Sequence, residues 1–246
     1  MEKLIFEIKE FFAVAFRFFF SLLENGQDCL VCSKKTYFFP VCKSCSQKYF
    51  SVENALSYAR CSVCGKELVS AEKICLQCRK EPVLKNTDKV FPLFSYRLWY
   101  KEILFTWKIK GVRCLSSYFA ALTAKALNLL CIKTVVPVPP RKGKIAEKGW
   151  DQIEELCTYL EKRYGFNVER ILERRGRAQH KKMNRKKRLE SIQADYYLKP
   201  GCKVLPEKVC LIDDVCTTGS TLESCAKILK QNGVKEVNAL TLFSVD

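Results

Sequence analysis

The stretch LIDDVCTTGST, residues 211–221, sets two carboxylates directly before a turn rich in hydroxyls and glycine. Such a turn, opening a helix, gathers phosphate through exposed backbone N–H groups, the helix dipole and the hydroxyls. The carboxylates cannot take a phosphate. They suit hydrogen bonds from sugar hydroxyls, or a hydrated Mg²⁺. A sugar with a phosphate on one side and a diol on the other would use both features. No G-x-x-x-x-G-K-[ST] is present, so this is not a Walker A loop. Mere capping of a helix would need only one of these hydroxyls.

A second chemistry lies upstream. Eight of the fifteen cysteines form four C-x-x-C pairs: Cys29/Cys32, Cys42/Cys45, Cys61/Cys64 and Cys75/Cys78. One such knuckle supplies two thiolates, and two knuckles complete a tetrahedral Zn²⁺ shell. Two structural, all-sulfur zinc sites are therefore expected. Successive pairs close the shorter loops. Joining Cys42/Cys45 to Cys61/Cys64 also suits the spacing, so the pairing stays open. The lone histidine, His180, lies far away. The other seven cysteines are scattered through apolar or helical runs, as reduced core residues would be. We read no secretory signal, and expect a reducing, cytoplasmic setting.

These sites need elements to hold them. The chain has 246 residues, 48% of them hydrophobic, enough for one large domain and a small module. Residues 1–25 read as an amphipathic helix, too short in apolar length to span a bilayer, with peripheral contact at the inner face of the membrane open to it. Residues 26–85 read as the zinc-binding module, which has no long apolar stripe and needs metal as a staple. Residues 86–246 alternate strands (89–94, 134–138, 167–172, 209–213, 236–243) with helices (99–108, 114–130, 150–164, 220–231). That alternation predicts an α/β fold with a mostly parallel sheet flanked by helices. Ligands bind such sheets beyond the carboxyl ends of the strands.

Residues 212–221 resemble the 5-phosphoribosyl-1-pyrophosphate (PRPP) motif of type I phosphoribosyltransferases. The resemblance implies that Asp213 and Asp214, the catalytic acids, take the ribose hydroxyls with Mg²⁺. It implies that Thr217, Thr218, Gly219, Ser220 and Thr221 hold the 5′-phosphate. It also implies a pyrophosphate loop after the strand near Val138, where Arg141 and Lys142 are the candidate cations. A broader resemblance covers nearly the whole chain. A cysteine module fused to such a domain is similar to the ComF (competence protein F) family. WKIKG at 107–111, VPVP at 136–139, KGWDQ at 148–152 and RAQ at 177–179 with Arg188 match further segments of that family. Asp151 stands where the family pattern has asparagine, adding negative charge near an expected anion site.

The net charge of +17 calls for a polyanionic partner. Residues 170–188 hold ten lysines and arginines against one acid, Glu173. A one-sign run repels itself unless a polyanion neutralises it, and single-stranded DNA is the expected partner. Tyr196, Tyr197 and Trp150 are candidate stacking platforms, core packing being the commoner fate. Two function classes follow. One is a ComF-type protein of DNA uptake and transformation that binds PRPP–Mg²⁺ and single-stranded DNA, alongside a competence helicase or DNA-processing proteins. The other is a metabolic phosphoribosyltransferase acting on a base. Whether PRPP is turned over, and onto what acceptor, the sequence leaves open.

Overall fold

The computed structural model describes residues 2–23, 27–37, 39–68, 72–141, 143–174, 196–202 and 204–245. Two strands, β1 (Gln27–Asp28) and β2 (Lys35–Thr36), form a small hairpin, and five longer or deeper ones form the main sheet. These are β3 (Lys89–Ser95), β4 (Thr134–Pro137), β5 (Asn167–Val168), β8 (Lys208–Cys216) and β9 (Glu236–Ser244). The order is β3-β9-β8-β4-β5 and every pairing is parallel. β6 (Leu172–Arg174) and β7 (Tyr196–Leu198) pair antiparallel outside that sheet.

Both faces of the sheet are covered, as a parallel sheet requires. Along β8 the side chains alternate. Cys210 and Ile212 enter a core with helices α5 (Leu98–Lys108), α6 (Cys114–Leu129) and α8 (Gln152–Lys162). Val209 and Leu211 enter the other, with helix α9 (Ser220–Gln231) and the β6–β7 hairpin. Period-2 alternation in a run of apolar residues thus serves two cores at once.

Most expected elements lie within a residue or two of their predicted ends. The predicted strand at 209–213 runs on to Cys216, and the one at 167–172 departs further. It breaks after Val168, and Leu172–Arg174 leaves the sheet to pair with β7. Between them Arg170 turns aside to Glu154 and Glu161 of α8. The predicted helix at 150–164 shortens to Gln152–Lys162 because Asp151 caps it, accepting from the N–H of Ile153 and Glu154 at 3.0 Å. Cys157, Cys210, Cys216 and Cys225 are buried as expected, but Cys131 is exposed.

Helix α1 (Glu2–Leu23) lies against α8. Phe6 meets Tyr159 edge-on at 5.4 Å, and Glu10 pairs with Arg163 at 3.0 Å. Leu4, Ile5, Ile8, Phe11 and Phe12 remain exposed. Among the described residues no helix is long and apolar enough to cross a membrane.

Candidate functional site

The sulfur atoms settle the open pairing. Cys29, Cys32, Cys42 and Cys45 converge, as do Cys61, Cys64, Cys75 and Cys78, with the four sulfurs of each group within 4.8 Å of one another. Successive pairs therefore combine. Four converging thiols with no histidine or carboxylate among them suit Zn²⁺ in a closed, structural shell. Backbone N–H groups are aimed at the sulfurs: Cys42 N to Cys29 Sγ and Cys75 N to Cys61 Sγ, both at 3.3 Å. Burial disfavours the Cys29 and Cys61 thiolates. Donors from Cys42, Cys32 and Val31, and from Cys64, Cys75 and Val63, more than offset it and bring both to about 7. Cys45 and Cys64 move upward, chiefly through burial. One proton-poor thiol in each group is a ready first ligand.

The second candidate lies in the main sheet. After β4 the chain runs to one side, to β5, while β8 and then β9 lie on the other. The strand order reverses between β4 and β8, and a crevice opens past their carboxyl ends. It is a cleft of about 490 Å³. Asp213, Asp214, Thr217 and Thr221 line it, with Arg141, Lys108, Lys144 and Lys148.

The two acids differ. Asp214 is buried, and its Oδ2 accepts from Lys108 Nζ at 2.5 Å and from Gln152 Nε2 at 2.7 Å. Burial opposes the charge on Lys108, but Asp214, with Asp213 and Asp151, outweighs it and raises its pKa. Asp213 accepts the N–H of Asp214 at 2.8 Å. Its carboxyl is pushed well up, first by burial and then by the charge of Asp214. A carboxylate held in that condition is suited to receive a cation or donor hydroxyls from a ligand.

The charge of Asp151 does not face the cleft unneutralised. Its Oδ2 pairs with Lys144 Nζ at 2.5 Å while its Oδ1 caps α8. Lys144 also donates to Gln152 Oε1. A line of contacts thus runs Asp151, Lys144, Gln152, Asp214, Lys108. Lys144 belongs to a short helix, α7 (Lys144–Lys148), that sequence patterning does not reveal. Lys108 is delivered by its neighbour: Trp107 is fully buried, with Nε1 on Ser116 Oγ at 2.8 Å. Lys108, Lys144 and Gln152 are thus site residues that sequence reasoning missed. The signal was present in the matched segments at 107–111 and 148–152, which converge on Asp214.

The hydroxyl loop is divided. Thr217 and Thr221 line the cleft. Thr218 Oγ1 and Ser220 Oγ share a hydrogen bond of 2.8 Å. Gly219 caps α9 with φ +80°, and Leu84 lies against it so closely that an added Cβ would meet a methyl at 3.0 Å. Thr217 and Thr218 also border a small cavity beside Cys64, Lys66 and Cys78. Arg141 pairs with Glu147, its Nη1 at 2.9 Å. Lys142, and the basic run beyond Arg174 with Arg177, Ala178, Gln179, His180 and Arg188, lie outside the described residues. Of the candidate stacking residues, Tyr196 is buried, Tyr197 donates to Glu173 at 2.6 Å, and Trp150 sits under Arg113.

The class these features define is an α/β protein with a parallel sheet, an acidic pair and a hydroxyl loop at its switch point, joined to a module of two four-cysteine clusters that could each hold a metal ion. No family model matches the chain. Three curated proteins are similar to it. Competence protein ComFC of Streptococcus pneumoniae is 26% identical over 224 residues, 90% of each chain. Competence protein F of Haemophilus influenzae is 26% identical over 191 residues, 74% of this chain and 82% of its own. Competence protein ComFC of Bacillus subtilis is 24% identical over 216 residues, 82% of this chain and 83% of its own. Over most of its length the chain is thus similar to competence proteins of the ComFC and F type.

Proposed function

We propose that this chain acts in competence and DNA uptake, and that its cleft binds PRPP with Mg²⁺. The role in competence follows its relatives, which are competence proteins. The observation that carries the ligand is the inequality of the two acids at a strand-order switch point. Asp214 is fixed by Lys108 and Gln152, while Asp213, at the same strand end, has its pKa raised by burial and by the charge of Asp214. Asp213 would meet the ribose diol or the hydrated cation. Asp214, with Lys108, would hold it in place. Thr217 and Thr221 would take the 5′-phosphate with the N-terminus of α9, and Arg141 the pyrophosphate, leaving Glu147 to do so. Lys142, Thr218, Gly219 and Ser220 complete the expected ligand set. The two cysteine clusters would hold one structural Zn²⁺ each.

Single-stranded DNA is the proposed macromolecular partner, gripped by the basic run at 170–188, with a competence helicase or DNA-processing protein beside it. Calorimetry with PRPP–Mg²⁺, and an electrophoretic shift with a short oligonucleotide, test the two halves separately. Each phosphate neutralised on a single strand should contribute about −0.7 to the log–log salt slope. A chain that binds PRPP, shifts no DNA, and releases pyrophosphate steadily with a small heterocyclic base would be a metabolic phosphoribosyltransferase instead.

A further inference from the structure

The carboxylate of Glu223 takes no part in the cleft, yet among the described residues it is the most heavily bonded buried acid outside it. It lies in the first turn of α9, one turn from the hydroxyl loop, and is 6% exposed. It accepts the backbone N–H of Lys85 at 2.9 Å, of Asn86 at 3.0 Å and of Thr87 at 3.3 Å. It also accepts from Asn86 Nδ2 at 2.6 Å and Thr87 Oγ1 at 3.3 Å. Those residues form the passage from the second cysteine cluster into β3. The same passage is held at the far end of α9, where Lys230 pairs with Asp88 at 2.7 Å. Just upstream, Leu84 packs onto the α-carbon side of Gly219. Further upstream, Cys64 and Cys78 share a small cavity with Thr217 and Thr218. The second cluster, the passage and the loop are therefore in continuous contact. The first cluster instead faces the aromatic core.

We infer that Glu223 is a positioning residue, and that through it the Cys61, Cys64, Cys75, Cys78 cluster sets the conformation of the hydroxyl loop. Metal at that cluster and an anionic ligand at the loop then reinforce one another, and the first cluster is not part of this coupling. Charge-assisted bonds to several N–H groups are stiff, so displacement of residues 84–87 moves the first turn of α9 with them. Reciprocity is required by linkage: if metal favours the ligand-ready loop, the ligand must tighten metal binding by the same factor. The ligand half of this inference rests on the proposed PRPP reading, but the positioning half does not.

Hydrogen exchange tests the positioning half without any ligand. In the zinc-loaded full chain, Glu223→Gln turns one acceptor into a donor facing the same N–H groups. Exchange across residues 216–224 should quicken about tenfold or more while α6 keeps its protection. Cys75→Ser should do the same, and Leu84→Ala more weakly. Unchanged loop exchange in the folded Glu223→Gln and Leu84→Ala proteins would overturn the inference. For the wild type, equilibrium zinc competition with a colorimetric chelator should resolve two sites, one tightened about tenfold by PRPP–Mg²⁺ and one unchanged. Equal shifts at both sites when calorimetry confirms bound PRPP would also overturn it. If calorimetry finds no PRPP bound, the ligand assignment fails, and the exchange experiment still decides the role of Glu223.

Discussion

The two cysteine clusters are near copies in backbone and opposites in surroundings. In each, the first cysteine donates its N–H to a lysine carbonyl five residues on, Cys29 to Lys34 and Cys61 to Lys66, both at 2.8 Å. In each, the third cysteine caps a short helix, Cys42 for α2 (Lys43–Tyr49) and Cys75 for α4 (Leu76–Lys80). The residue after each first knuckle is left-handed, Ser33 in one and Gly65 in the other. The surroundings then diverge. α2 delivers Phe50 into rings of Phe94, Tyr100 and Tyr118 at 5.2–5.6 Å, so the first cluster is built into the main core. α4 has no buried residue, and its cluster borders the hydroxyl loop. One four-cysteine motif, used twice, thus has two different settings: the first copy extends a core, and the second touches the hydroxyl turn at the cleft.

The largest expected effect breaks the symmetry of that pair. Cys45→Ser removes a ligand that is itself buried against the core. In a metal-stapled module, metal binding and folding are one equilibrium. The variant should therefore lose its cooperative thermal transition. Cys75→Ser, on the copy beside the hydroxyl loop, should keep the transition, with a lowered midpoint and about one zinc per chain by elemental analysis. Equal losses from the two substitutions would contradict the division between core and cleft.

The next test exchanges the left-handed residues. A Cβ on Gly65 would lie 2.1 Å from the carbonyl oxygen of Val90 and 2.6 Å from Pro92 Cδ, and both belong to β3. Rigid backbone cannot yield, so Gly65→Ala should cost about 3 kcal/mol or more, by overpacking and by the forced φ. Ser33→Gly should instead be neutral or stabilise by up to about 1 kcal/mol, because a serine there bears the left-handed strain. Urea denaturation of both variants measures the contrast.

A third test concerns the cleft entered by the hydroxyl loop that the second cluster borders. Asp213→Asn should weaken PRPP–Mg²⁺ binding about 10- to 100-fold, since charge-assisted bonds are worth about 1.5–3 kcal/mol. The same change should stabilise the ligand-free chain. The folded pKa of Asp213 lies above its unfolded value, so the folded chain binds the extra proton. The contribution to stability is fully present below the unfolded pKa, and is lost as pH rises through the raised, folded one. An asparagine keeps the neutral form at every pH. A higher thermal midpoint than the wild type is expected at neutral pH and no gain in acid. Equal PRPP affinity in the variant would remove Asp213 from the site.

Sequence alone carried the eight cysteines, the parallel sheet and the acid pair, because each is a matter of local spacing. Thr217 and Thr221, expected to take a phosphate, line the cleft. What the sequence lacked were contacts between distant segments. Lys108 meets Asp214 across 106 positions, and Glu223 meets Asn86 across 137. Neither pair leaves a periodic trace. The misread strand at 167–172 fails for a related reason: its apolar content is right, but Arg170 is drawn to two glutamates on α8 and breaks the run. Asp151 is the instructive case, since by type it looked hostile to an anion. Its partner Lys144, seven residues earlier, sits on a helix too short to be read from the pattern.

The smallest effect sharpens the comparison at a single hydroxyl. Tyr118 Oη donates to Ser46 Oγ at 2.9 Å, joining α6 to the helix that the first cluster caps. Burial pushes the Tyr118 hydroxyl well up, so it stays protonated and donating throughout the ordinary pH range. Tyr118→Phe keeps the ring and its edge-on contact with Phe50 at 5.6 Å. It removes one buried hydrogen bond and leaves the Ser46 hydroxyl to find another partner. The cost should be about 0.5–1.5 kcal/mol, a midpoint shift of a few degrees at most. Zinc content should stay at two per chain, and PRPP affinity should not change, because the cluster that Tyr118 supports faces the core. A fall in PRPP affinity with this variant would mean that the first copy also reaches the cleft, and the division of labour between the two clusters would have to be redrawn.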